Sequence, residues 1–106
     1  MSMVFVDVGF SNFMDASKII TISRPDSSPI RRLVGHAKDN NRYIDLTQGK
    51  KTRSIIVSAG EQGLVVTASA VQTSTIIGRI RKAFEDLFVS RLDPAGLAVI
   101  GEGGSE

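Results

Sequence analysis

The chain has 106 residues, 42% hydrophobic and 23% charged, with 13 lysines and arginines against 11 acids for a net charge of +2. That size fits one domain with a modest core, for which self-association is a reasonable further source of stability. Lack of cysteine excludes disulfides, thiolate metal sites and cysteine catalysis, and no run is long enough for a signal peptide or a bilayer span, so the expected location is cytoplasmic.

Residues 3–8 alternate Met3 and Phe5 against Val4, Val6 and Val8, and read as a strand. Gly9 and the pair Ser11-Asn12 supply a turn. The β-branched run over 18–23, Lys18-Ile19-Ile20-Thr21-Ile22-Ser23, predicts a second strand. A helix start follows: Ser27 or Ser28 as N-cap, with Pro29 in the first turn, where its missing N–H costs nothing. Ile30, Leu33, Val34 and Ala37 then fall on one stripe, and Asn40-Asn41 ends the helix. Arg31, Arg32 and Lys38 lie off that stripe.

Strand patterning returns at Tyr43-Ile44-Asp45-Leu46-Thr47, followed by the polar loop Gln48-Gly49-Lys50-Lys51. An apolar strand over 53–59 and another over 64–70 are joined by Gly60-Glu61-Gln62-Gly63, a link short enough to predict an antiparallel hairpin. From Thr73 or Ser74 a second helix carries Ile76, Ile77, Ile80, Phe84, Leu87 and Phe88 on one face. That face is either ordinary core or is shared with another subunit. Asp93-Pro94 stops the helix. The expected architecture is therefore α+β, a small, mostly antiparallel sheet of about five strands with two helices, in the order β-β-α-β-β-β-α. One domain spans 1–91, and 92–106 is expected to be a flexible tail rich in glycine and acid.

The small net charge hides an asymmetry. Between Lys18 and Arg53 stand nine bases and three acids, a local balance of +6, which suits a polyanionic partner. Enzymatic chemistry finds little support. His36 is the sole histidine and is expected at the surface or half-buried, and Asp39 and Asp45 read as charge balance or turn caps. The stretch Gly49-Lys50-Lys51-Thr52 looks superficially like a nucleotide-binding phosphate loop. The glycine required five positions earlier is Ile44, and no glycine directly precedes Lys51, so the motif fails. No enzyme, metal, cofactor or small-molecule substrate is expected.

What remains is Gln48-Gly49-Lys50-Lys51-Thr52-Arg53. Glycine permits a sharp turn, so the lysines are expected to project from the tip of a hairpin. Lys50, Lys51 and Arg53, with the Thr52 hydroxyl, form a cluster suited to phosphate oxygens.

With these residues laid out, the chain resembles the RemA family of bacterial extracellular-matrix regulators. The matching stretches are Val8-Gly9-Phe10 with Asn12, Ala16-Ser17-Lys18-Ile19-Ile20, and Arg24-Pro25-Asp26-Ser27-Ser28-Pro29-Ile30-Arg31-Arg32. They continue through Asp45 and Gly49-Lys50-Lys51-Thr52-Arg53 to Ser69-Ala70-Val71-Gln72. The likeness covers roughly residues 3–82. It implies a transcriptional regulator that binds duplex DNA and assembles into a closed ring of more than six subunits, associated with the nucleoid. Lys50 and Lys51 then occupy the family's DNA-contacting basic pair, Lys18 falls on a further basic position tied to activity, and Pro29 on a structurally sensitive one. Arg53 and Thr52 support the pair, and Arg31 and Arg32 extend the basic face. The family's pair is commonly two arginines. Lysine holds phosphate as a point charge without the planar fork for guanine, so more backbone clamping and less base discrimination are expected. The rival expectation is an oligomeric interaction module whose basic face takes RNA or an acidic protein. Single-stranded RNA calls for exposed stacking aromatics, whereas the phenylalanines fall mostly on positions expected to be buried.

Overall fold

Alternation at the chain start decides which side is inside. Val4, Val6 and Val8 are buried while Met3 and Phe5 are exposed, as a period of two requires of a strand covered on one face. The computed structural model describes residues 3–92, with side chains through Val89. Its elements are β1 (Phe5–Asp7), β2 (Phe13–Asp15), a 3-10 turn (Ala16–Lys18), β3 (Ile19–Ser23), α1 (Ser28–Asp39), β4 (Tyr43–Asp45), β5 (Ser54–Gly60), β6 (Gly63–Ser69) and α2 (Thr73–Leu92). The fold is α+β with the expected run of strands and helices. One short strand, β2, is added, because three residues carry too little pattern to be read alone. The expected stop at Asp93-Pro94 and the tail beyond it lie outside the described residues.

β1 and β2 form a two-stranded antiparallel sheet. The larger sheet has the order β3-β5-β6-β4, antiparallel except for the parallel pair of β4 with β6. The hairpin of β5 and β6 closes between Gly60 and Gly63 as expected. Its strands are central and covered on both faces. On one face Ile55, Val57, Val66 and Ala68 meet Ala37 of α1, flanked by Ile30, Leu33 and Val34. On the other, Ile56 meets Val4, Val6 and Val8 of the β1 segment and Ile76 of α2. Each fully buried isoleucine contributes roughly 1.5–3 kcal/mol by leaving water. Ser27 is the N-cap of α1, its hydroxyl accepting from the Ile30 amide at 3.4 Å.

Two expectations about apolar residues are corrected. The face assigned to α2 is in fact two stripes. Ile76, Ile80, Ala83 and Leu87 turn inward, whereas Ile77, Phe84 and Phe88 are exposed. Arg79 fixes the orientation, its guanidinium donating to the Asp7 carbonyl at 2.9 Å. Ile77 stands about 200° around the helix from Arg79, so the second stripe faces away from β1. Nor are the phenylalanines buried. Phe5, Phe10, Phe13, Phe84 and Phe88 are between 41% and 61% exposed. The reason is geometric. Valines and isoleucines fill the narrow space between the layers, and the bulkier rings occupy the alternate positions.

Candidate nucleic-acid interface

The loop from Leu46 to Arg53 is not the tip of a hairpin. β4 lies beyond β6 and runs parallel to it, so the chain must cross the end of β6 to reach β5. Both ends of the crossing are clamped there. The Leu46 amide donates to the Ala68 carbonyl at 3.0 Å, and the Arg53 amide to the Ser69 carbonyl at 2.8 Å. Inside the loop, Asp45 Oδ1 accepts from the Thr47 amide at 2.9 Å and the Thr47 hydroxyl at 2.6 Å. These bonds hold the Asp45 carboxyl below its ordinary range, the hydroxyl bond most of all. Asp45 thus caps a turn, one of the two roles its sequence context allowed.

The Lys50 amide then closes onto the Thr47 carbonyl at 3.0 Å, with Gln48 at φ 52° and Gly49 at φ 81°. Two successive left-handed residues make a type I′ turn, for which glycine is the cheap occupant and Gln48 the costly one. Thr47 is buried beneath it. Lys50, Lys51 and Arg53 project into solvent with Thr52 half-buried between them. Among the described residues, none of these three cations forms an ion pair.

The pairing of β3 with β5 brings in a fourth cation. Ser23 lies opposite Ile55, so Arg24 arrives beside Arg53. Arg24, Lys51 and Arg53 line a shallow cleft of about 430 Å³, together with the hydroxyl-bearing residues Thr52, Thr73 and Ser74. The Arg24–Asp26 ion pair, at 3.4 Å between largely exposed groups, is too solvated to neutralise it. Both helices start at this end of the sheet, α1 after β3 and α2 after β6. Their positive dipole ends therefore add to the lysines and arginines, an arrangement that favours anions.

Not every expected residue joins. Arg31 and Arg32 are exposed in the first turns of α1 and flank the same end. Lys18 does not. It precedes Ile19, which pairs with Ser58, placing it about 20 Å along β5 from Arg53. Conversely, Arg24 and the first turn of α2 were not singled out from sequence. Arg24 stands 27 positions before Lys51, and only strand register reveals the proximity. His36 is exposed on α1, and among the described residues no group of three or more potential metal ligands occurs.

A protein-family model described as RemA-like, extracellular matrix regulatory protein A-like, matches residues 5–80. A regulatory protein of Bacillus cereus (strain G9842) is 65% identical over 78 residues, 74% of this chain and 73% of that protein. A regulatory protein of Nitratidesulfovibrio vulgaris (strain DP4) is 48% identical over 81 residues, 76% of this chain and 91% of its own length. A third, from Oceanobacillus iheyensis, is 38% identical over 80 residues, 90% of its length.

Proposed function

The chain belongs to the RemA-like family and its role is regulatory, by the character of its relatives; on that premise we propose that it controls transcription by binding duplex DNA through the basic end of its sheet. The observation that carries this reading is the convergence of Lys51, Arg53 and Arg24 around one cleft at the starts of both helices, with exposed Lys50 next to Lys51 on the same loop. The clamped loop holds its cations before DNA arrives, so little ordering is left to the binding step. Phosphate contacts of this kind position the protein, and preference among sequences comes from the cost of deforming the duplex. The controlled genes are of the extracellular-matrix and biofilm type, and the protein works in the cytoplasm at the nucleoid, without cofactor or small-molecule substrate.

One subunit offers few phosphate contacts, so affinity requires repetition. In our reading the protein is a homo-oligomer, a closed ring of more than six subunits, and later contacts become intramolecular. The uncovered stripe of Ile77, Phe84 and Phe88 supports a subunit contact. So do the two open edges of the larger sheet, β3 with exposed Ile20 and β4 with exposed Ile44. These are unlike surfaces on opposite sides, as a head-to-tail ring needs.

Binding to a duplex, titrated against salt, tests the reading. Four engaged subunits that each neutralise two phosphates give a log–log slope of about −7. A slope near zero rejects it. Exposure of all five phenylalanines gives some weight to a second reading, a platform for single-stranded RNA. Competition of single-stranded RNA against the duplex separates the two.

A further inference from the structure

We propose that Phe10, at the tip of the turn between β1 and β2, is an apolar wedge that enters the minor groove of bound DNA beside the phosphates held by the basic loop. This rests on the DNA-binding reading above. The turn runs from Gly9 to Asn12, whose amide donates to the Gly9 carbonyl at 2.9 Å. Its two central residues are Phe10 at φ 54° and Ser11 at φ 60°. Asn-Gly is the favoured pair for that geometry, and a phenylalanine there is strained.

The surroundings impose the conformation. The Gly9 amide donates to Asp7 Oδ1 at 2.7 Å and the Asn12 side chain to the Gly9 carbonyl at 2.9 Å. From the sheet beneath, the Ser69 hydroxyl donates to the Val8 carbonyl at 2.6 Å. Gly9 itself lies so close to Val71 that an added Cβ would stand 3.1 Å from its methyl. For all this, Phe10 belongs to neither core and is 47% exposed. A strained aromatic presented to solvent on a pinned turn is a candidate for a contact outside the subunit.

Position decides which contact. Ser69 and Val71, which anchor the turn, adjoin the cleft directly. Ser69 accepts the Arg53 amide, and Val71 is followed by Gln72, Thr73 and Ser74 of the cleft wall. The base of the Phe10 turn therefore lies at the same end of the sheet as Arg24, Lys51 and Arg53. A protein surface docked on the ring would have to bury those cations. A duplex offers phosphates for them and an apolar base step within a few ångströms. Apolar side chains at such a place unstack a step and bend the helix, most easily at flexible pyrimidine–purine steps. Sequence preference would then come from Phe10, since the lysine pair has no fork for guanine.

Phe10→Asn tests this, because asparagine suits a left-handed φ and the variant should fold at least as stably. Expected are a loss of roughly tenfold or more in affinity for duplexes carrying a central TA step, a smaller bend by end-to-end fluorescence transfer, and an unchanged salt slope. Phe10→Leu, which keeps an apolar wedge, should retain most of both. Wild-type affinity and bending in Phe10→Asn overturn the proposal while leaving the basic loop intact. A smaller oligomer on sizing assigns Phe10 to a subunit contact and overturns it as well, as does a defect confined to single-stranded RNA. Failure of the wild type to bind a duplex would instead remove the DNA-binding reading, and this one with it.

Discussion

The two ends of the four-stranded sheet use the same device and put it to different ends. At one end Asp15 Oδ1 accepts from the Ser17 amide at 3.0 Å and its hydroxyl at 2.6 Å, just before Lys18. At the other, Asp45 does the same for Thr47, just before Lys50 and Lys51. Ser17 is exposed and Thr47 buried. Only the second loop is clamped on both sides to β6, and only there do both helices begin. The end near Lys18 carries instead the C-terminus of α1, where Asn40 caps the carbonyl of His36, and the Glu61-Gln62 turn. Cations at that end face the negative ends of peptide dipoles. Charge count alone therefore misleads; what matters is what the backbone adds beneath each cation.

The comparison breaks most directly by exchanging the ends. Lys50→Ala with Lys51→Ala should weaken duplex binding by about a hundredfold or more, since the loss repeats at every engaged subunit. Sizing should show an unchanged oligomer. Lys18→Ala, about 20 Å away along the strand, should cost no more than roughly threefold if it contributes only to the general field. Equal losses from the two changes would mean that the ends are brought together by a neighbouring copy.

Avidity sharpens the same contrast. Phe84→Asp with Phe88→Asp leaves every cation in place and replaces two exposed rings, so the far-UV circular dichroism of the fold should hardly change. If these rings join subunits, the oligomer shrinks on sizing and duplex affinity falls by roughly tenfold or more through loss of multivalency. An intact oligomer would place the subunit contact elsewhere, on the open strand edges.

A smaller effect separates the ends by their buried polar groups. The Ser69 hydroxyl donates to the Val8 carbonyl and accepts from the Val71 amide at 3.0 Å, tying the Phe10 turn and the start of α2 to the sheet. Ser69→Ala leaves both backbone groups without that partner and should destabilise by about 1–3 kcal/mol in denaturant unfolding. Ser58→Ala, buried on the same face of the sheet toward the other end, should cost less than half as much.

Much of this was legible before any coordinates. Pro29 behind a serine cap, the stripe Ile30, Leu33, Val34 and Ala37, and the four-residue link at Gly60–Gly63 each imply one local geometry. The basic loop was legible as a cluster too, since Lys50, Lys51 and Arg53 are neighbours in sequence. What stayed hidden depends on which strands pair. A polar loop after Asp45 serves a hairpin or a crossover equally well, so the parallel pairing of β4 with β6 could not be inferred. Arg24 joined the cleft by register alone. On α2, two stripes each satisfy the helical period, and only its docking against β1 and β3 decides that Ile76, Ile80, Ala83 and Leu87 go in while Ile77, Phe84 and Phe88 stay out.

The finest distinction between the ends is their response to acid. Asp15 and Asp45 both have carboxyl groups held below the ordinary value of 3.8, chiefly by the side-chain hydrogen bond from Ser17 and Thr47 respectively. A carboxyl depressed in the folded state adds stability that is fully present above its unfolded value and is lost as pH falls through the folded one. Neither contribution should change between neutrality and about pH 5, and both should fade below about pH 4. Since Asp45 is exposed and Asp15 only half-buried, solvent screening keeps the effect on global stability small, and amide signals are the better readout. On acidification the Ser17 and Thr47 amides should shift together below the ordinary carboxylate range. Only the Thr47 transition should spread to Gln48, Gly49 and Lys50, because that turn is built on its carbonyl. In Asp45→Asn an uncharged acceptor replaces the carboxylate, so the Thr47 amide should stop titrating while Ser17 continues. A Lys50 amide that titrates unchanged in that variant would show the basic turn to be held by its clamps on β6 alone, with Asp45 no more important to it than Asp15 is to Lys18.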